Sequence, residues 1–397
     1  MLQVILLKKL KKSLINMHIA FLTSEYPNQR IGGAVGGIGS FVKNLATSLS
    51  NKGHKVSIFV YSQKDEYLID GEIAIYSIKQ NKTKIGTWWF NRKHIERYIN
   101  KIITNQKIDV IEAPEWTGIT AFMKFKAPLV IRLHGSDTFF CYLENRKQKW
   151  KNYFFEKKAL KSANAIVGVS NFVADKTIEL FHLKNKIETI YNAIDVNDFK
   201  PNHNNVKEKT ILYFGTIIRK KGVLELAKIF NKIIEKDGSV KLIMLGRDVK
   251  DFIKKKSTLI LFKEFLSEKS KKQVEYIDSV PYNIVKEYIM KTDIVVLPSF
   301  AEAFPMTWLE AMSMEKKMVT SNIGWSSELM IDGDTGYVCN PMKSNEFAEK
   351  IINLINYPDV AFNMAQNARK RIEENFNQEK AYQENYTFYK KIIGNEI

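Results

Sequence analysis

Two carboxylates, a basic loop and one histidine carry most of the chemistry open to this sequence. Glu302 and Glu310 stand eight positions apart in FAEAFPMTWLEAMSM, residues 300–314, on either side of Pro305. Proline suits the first turn of a helix, where its missing N–H is not needed. The backbone from Ala303 through Phe304, Pro305 and Met306 to Thr307 is therefore expected to form a helix start whose N–H groups face an anion. Glu302 is then free to address a ligand just ahead of that start, while Glu310 lies within the helix. The plain alternative is a helix with one N-terminal acid and one surface acid. A carboxylate pair also suggests glycoside hydrolysis, but a hydrolase needs neither a separate cationic loop nor a second nucleotide-sized domain.

Such a loop is present. In TILYFGTIIRKKGVLELAKIF a strand over Thr210–Phe214 ends at Gly215 and Thr216, Arg219, Lys220 and Lys221 follow, and a helix starts near Gly222. Cations at the carboxyl end of a strand, beside a helix start, suit a diphosphate held above a sheet. A solvated basic loop is the bland reading of the same residues. Gly36 and Gly37 sit in another strand-to-helix turn, ahead of a helix with apolar positions Ile38, Phe41, Val42, Leu45, Ala46 and Leu49. Without Cβ atoms they let backbone N–H groups approach a phosphate or sugar. The glycines there give no clean GxGxxG register and no Walker lysine follows, which sets aside dinucleotide dehydrogenases and P-loop NTPases. His134 follows the strand LVIRL and opens HGSD, where Asp137 can orient it or bind an acceptor. Cys141 and Cys339 fall in no zinc or disulfide spacing, so no metal site is expected.

These groups need scaffolds. A chain of 397 residues, 45% hydrophobic and 26% charged, has material for two ordinary cores. Short β-rich runs alternate with helical periodicity, the pattern of parallel sheets with crossover helices. Strands are expected in a first half at Ile19–Ser24, Val56–Tyr61, Asp109–Glu112, Leu129–Leu133, Ala165–Val169 and Glu188–Tyr191. In a second half they are expected at Thr210–Phe214, Lys241–Leu245, Val274–Ile277, Ile294–Leu297, Met318–Thr320 and Tyr337–Cys339. The polar, aperiodic stretch Val196–Lys209 reads as a linker. A last helix from Gln378 carries Tyr382, Tyr386, Phe388 and Tyr389, which need a surface to bury against.

The net charge of +18 favours anionic partners. The cations are scattered and no nucleic-acid-binding pattern accompanies them, so nucleic acid is not expected. MLQVILLKKLKKSLIN, residues 1–16, is too short in its apolar run for a signal core or a membrane span. It reads as sequence ahead of a start at Met17, or as a basic amphipathic helix on an anionic membrane.

The residues GGIG (36–39), HGSD (134–137), YNAID (191–195), FGTIIRKKG (214–222) and PSFAEAFPMTWLEAM (298–312) resemble, in this order, the retaining glycosyltransferase family 4 of GT-B fold. The resemblance runs from Met17 nearly to the end, and its Glu-x7-Glu signature is the most specific part. It implies an α/β protein with two Rossmann-like domains whose parallel sheets face a central cleft: an acceptor-binding domain over 17–196, a nucleotide-sugar domain over 210–377, and a helix over 378–397 returning to the first domain. The implied reaction moves a sugar from a UDP- or GDP-linked donor to a glycan or lipid-linked acceptor hydroxyl, in cell-surface polysaccharide or glycolipid synthesis. The donor is a substrate and no cofactor is implied. Catalytic roles fall to His134, Glu302, Lys221 and Arg219. Donor contacts fall to Gly36, Gly37, Gly215, Thr216, Ala303, Phe304, Pro305, Met306, Thr307 and Glu310, and acceptor contacts to Asp137 and Asn192. Thr216 stands where the family often has arginine, and Ala303 where it often has glycine. The expected location is cytoplasmic, with peripheral attachment to the inner face of the membrane. A non-catalytic nucleotide-sugar or glycan-binding protein of the same fold is the alternative from another class.

Overall fold

Short runs rich in Ile and Val become most of the strands of two sheets in the computed structural model, which describes residues 16–32, 36–81, 86–204 and 206–394. The first sheet contains β1 (His18–Thr23), β2 (Lys55–Gln63), β3 (Glu66–Asp70), β4 (Ile73–Lys79), β5 (Val110–Pro114), β6 (Leu129–Leu133), β7 (Ala165–Gly168) and β8 (Glu188–Thr189), in the order β3-β4-β2-β1-β5-β6-β7-β8. The second contains β9 (Lys207–Phe214), β10 (Lys241–Leu245), β11 (Val274–Ile277), β12 (Thr292–Leu297), β13 (Lys317–Ser321) and β14 (Tyr337–Cys339), in the order β11-β10-β9-β12-β13-β14. All registered pairs of the second sheet are parallel. Central strands are covered on both faces, which is why β1 is buried at every position and reads as a continuous apolar run.

The expectation of purely parallel sheets needs one correction. β3 pairs antiparallel with β4, with Asp70 opposite Ile73, so that Gly71 and Glu72 form a two-residue hairpin turn. Gly71 has φ +63°, as such a turn requires. Neither strand is expected from the sequence: they form a hairpin inside a chain read as strands alternating with crossover helices, although Leu68 and most of β4 are buried. β9 also begins at Lys207, inside the stretch read as linker. The basic segment lies, over residues 1–15, outside the described residues.

The chain forms two compact units. One holds the described residues up to Arg132, Tyr153–Val167 and those from Tyr382 onward. The other holds Leu133–Asn152 and Gly168–Ala381. The helices used below are α1 (Gly37–Asn51), α2 (Thr87–Gln106), α3 (Asp137–Leu143), α4 (Trp150–Ser162), α5 (Asn171–Phe181), α6 (Val223–Lys236), α7 (Met306–Ser313) and α8 (Gln378–Gly394). In the first unit the aromatic residues of α8 meet polar groups of the sheet. The Tyr389 hydroxyl donates to Glu112 at 2.7 Å, and the Tyr382 hydroxyl lies 3.0 Å from His54 Nε2. Glu112 on β5 also accepts two bonds from Arg132 on β6, at 2.7 and 2.9 Å, and Arg132 Nη2 reaches Asn385. This buried cluster is polar and paired except at Arg132 Nη1, and α8 supplies part of the pairing. Both cysteines are buried free thiols, each raised by desolvation, Cys141 to about 11 and Cys339 to about 12.

Candidate active site

β9 and β12 are neighbours in the second sheet, so the loops leaving their carboxyl ends lie side by side. The first loop ends in one turn of 3-10 helix, Arg219–Lys221, and Gly222 follows with φ +71°. A Cβ on Gly222 would stand 1.9 Å from the Pro298 carbonyl oxygen, so only glycine lets the two loops approach this closely. The Phe300 N–H donates to the Lys220 carbonyl at 2.8 Å and ties the loops together. This contact places Lys221 against Glu302, and their side chains form a partly buried ion pair.

Pro305 is the N-cap residue of α7, and no side chain caps that helix. The Trp308 N–H donates to the Pro305 carbonyl at 3.2 Å, and the first turn, which begins four residues after Glu302, carries the positive end of the helix dipole. The loop ahead of α7 is held from below. The Ser170 hydroxyl donates to the Ala303 carbonyl at 2.7 Å, and the Asn192 amide donates to the Phe304 carbonyl at 2.9 Å. Phe304 packs on Tyr191 and Phe376, with ring centroids 5.1 and 5.4 Å away.

Glu310 lies one turn into α7, is 3% exposed, and accepts a 2.7 Å bond from the Tyr282 hydroxyl. Desolvation raises its pKa to about 7, opposed by the tyrosine bond. A carboxyl raised in the folded state favours folding while protonated. Its contribution is fully present below the ordinary value of 4.5 and is lost as pH rises through about 7. The urea midpoint should accordingly fall between pH 5 and pH 8, and Glu310→Gln should flatten that fall. An identical pH profile in the variant would show that Glu310 is ionised throughout.

The other expected site residues divide. Arg219 is engaged by Asp251, with bonds of 2.7 and 3.2 Å, and so pins the loop that follows β10. Thr216 contributes its carbonyl, which accepts from the Tyr213 hydroxyl at 2.8 Å, and the Gly215 N–H donates to Leu245. His134 directly follows β6, and Ser136 caps α3 by accepting the Phe139 N–H at 3.0 Å. Asp137, in the first turn of α3, accepts from Arg146 at 3.1 Å and Asn152 at 2.8 Å. Its pKa is lowered on balance, burial raising it and these bonds lowering it more. Gly36 and Gly37 belong to the first unit, where the N-terminus of α1 already has an anion: Glu25 accepts the Gly39 N–H at 2.8 Å.

The sequence assigns no role to one cation beside the site. Lys220 Nζ lies 3.6 Å from the centroid of the Phe140 ring, and burial, reinforced by Lys221, lowers its pKa to about 8. The run RKK carries this lysine, but nothing local separates its role from those of its neighbours.

Comparison with known proteins gives the family and the fold. Residues 35–198 match the family described as Glycosyltransferase Family 4, and residues 195–371 match Glycosyl transferases group 1. An uncharacterized glycosyltransferase of Methanocaldococcus jannaschii is 25% identical over 352 residues, 87% of this chain and 92% of that protein. A capsular polysaccharide biosynthesis glycosyltransferase of Staphylococcus aureus is 27% identical over 256 residues, 61% of this chain and 65% of its own length. Among solved structures, the Anabaena protein HepE in complex with UDP and glucose superposes with a TM-score of 0.72 at 18% identity, covering 93% of this chain and 98% of its own. That likeness carries the fold, an α/β GT-B architecture.

Proposed function

The chain belongs to Glycosyl transferases group 1, family 4, and is a glycosyltransferase; we propose that it transfers a hexose, with retention, from a UDP- or GDP-linked donor to an acceptor hydroxyl in cell-surface polysaccharide or glycolipid synthesis. The observation that carries this reading is the Lys221–Glu302 pair beside the uncapped N-terminus of α7. A departing diphosphate needs positive charge where its own negative charge builds. Lys221 and the first-turn N–H groups of α7 offer that from fixed positions, so electrostatic stabilisation contributes most to lowering the barrier. Glu302, released from Lys221 as the diphosphate takes over the lysine, addresses the sugar. Glu310 accepts the ribose hydroxyls, and Tyr282 holds its carboxylate in place.

In this reading the bond from the anomeric carbon to the phosphate oxygen breaks as the acceptor oxygen bonds the same face. The acceptor proton passes to the leaving diphosphate. His134 contacts the donor sugar from the end of β6. Arg219 acts through the loop it fixes to Asp251 rather than on the phosphate. No divalent ion takes part, since Lys221 and the helix start supply its charge. Capsular polysaccharide synthesis in the Staphylococcus aureus relative and UDP bound to HepE support the substrate class. The deciding experiment is a donor screen that reads released UDP or GDP, run with and without EDTA. Release from one sugar nucleotide, unaffected by EDTA, is the expected result. No release from any donor defeats the assignment, and a strict magnesium or manganese requirement defeats the metal-free mechanism.

Among the described residues no helix is long and apolar enough to cross a membrane. A surface attachment has a candidate in the first unit. Trp89, Phe90 and Phe154 are 38%, 50% and 41% exposed, with Lys93 over Trp89 and Lys158 over Phe154. Aromatic rings with nearby lysines suit the headgroup layer of an anionic bilayer. Binding to vesicles containing an anionic lipid should weaken with added salt and with Trp89→Ser and Phe154→Ser together. Vesicle binding indifferent to both changes would remove this surface from the proposal.

A further inference from the structure

A cavity in the first unit lies outside the chemistry described above. It holds about 140 Å³ and is lined by Tyr61 and Ser62 from the end of β2, Lys79 from the end of β4, Trp88 and Arg92 from α2, and Ile119 from the segment after β5. β2 and β4 are parallel neighbours, so their carboxyl ends open on the same side. Open α/β sheets bind ligands at that side.

Arg92 is the residue that calls for an explanation. It is 7% exposed, and it donates to neutral carbonyls, those of Trp88 at 3.2 Å and Gly118 at 3.0 Å. Its Nε is buried without a partner, and among the described residues no carboxylate pairs with it. Its guanidinium carbon lies over the Phe155 ring, 4.5 Å from the centroid. Burial lowers its pKa to about 10, with Tyr61 opposing. Arg132 of the same unit, also buried, shows the usual solution, a bidentate carboxylate from Glu112. A buried guanidinium held by two carbonyls and an aromatic ring but denied a counter-ion is half of an anion site. Lys79 stands exposed at the rim, where Asp65 fixes its backbone by accepting its N–H at 2.6 Å.

We propose that this cavity is an acceptor subsite for an anionic group, a phosphate or a carboxylate, held by Arg92 and Lys79. Its assignment to the acceptor rests on the transferase reading; the anion site itself does not. The acceptor would then carry a phosphate or an acidic sugar or hydroxy acid near the hydroxyl that receives the hexose.

The test needs neither donor nor acceptor. Inorganic phosphate and malonate are titrated calorimetrically into the full chain, and into Lys221→Ala so that phosphate at the diphosphate site is not counted. Saturable binding of one of them in both proteins is expected. Arg92→Lys keeps the charge but loses the planar fork, and should weaken it roughly tenfold. Lys79→Ala, an exposed change that leaves the core untouched, should weaken it several-fold. Preference for phosphate or for malonate identifies the acceptor's acid. No saturable binding of either anion overturns the proposal, as does unchanged affinity in both variants. If Arg92→Lys does not fold, unchanged affinity in Lys79→Ala decides against it. A failure here beside a productive donor screen removes the subsite and leaves the transferase reading standing, and the converse outcome separates them equally.

Discussion

Lys221→Ala is expected to lower sugar transfer by roughly two to three orders of magnitude, the scale of losing a charged contact made in the transition state. The lysine is held by its backbone: the 3-10 turn, the glycine that lets Pro298 approach, and the bond from Phe300 to the Lys220 carbonyl. Removing its side chain leaves these in place, so circular dichroism and the unfolding midpoint should change little. The loss should fall on kcat more than on KM, because the diphosphate gains charge as it leaves. Lys221→Arg should recover only part of the rate, since a planar fork does not place its charge where a single ammonium stands. Glu302→Gln should also impair transfer. The double variant should lose much less than the product of the two single losses, because the two side chains act as a pair. Full activity in a folded Lys221→Ala would remove this lysine from the mechanism.

A second large effect is expected on stability. Arg132→Leu leaves Glu112 buried without its cation, and should cost about 3–5 kcal/mol, a large share of the stability of a domain. Arg132 is 0% exposed and Glu112 is 3% exposed, so water cannot replace the lost partner. Tyr389 would still donate to Glu112, which tempers the loss without balancing the charge. Arg132→Leu with Glu112→Leu together should recover part of the stability, since two apolar side chains need no counter-charge. Urea unfolding of the three variants distinguishes the cases. A single variant as stable as the parent would show that Glu112 is protonated or reached by water.

Much of this protein could be read from one dimension. The strand and helix alternation needs only local periodicity, and it located β1, β2, β5, β6 and every strand of the second sheet to within a few residues. The hairpin of β3 and β4 escaped because an antiparallel pair joined by a two-residue turn interrupts the alternation of strand and crossover helix. Motif residues were legible for a similar reason. Glu302, Pro305 and Glu310 act within one loop and one helix, so spacing alone relates them.

What spacing cannot give is direction. A 3-10 turn fans successive side chains about 120° apart, so Arg219, Lys220 and Lys221 had to point three ways. Which way each points depends on partners far along the chain: Asp251, Phe140 and Glu302. Asp137 and Asn192 are likewise taken up, by Arg146 and Asn152 and by the Phe304 carbonyl. The counter-ion that Arg132 finds and Arg92 lacks is set by which strand lies beside which, and that is decided only when β5 and β6 come together. Periodicity and spacing therefore determined the elements and the motif. Pairing across the chain decided which charges gain a counter-charge and which do not, because burial makes an unpaired charge costly and only the assembled fold says which charges are buried.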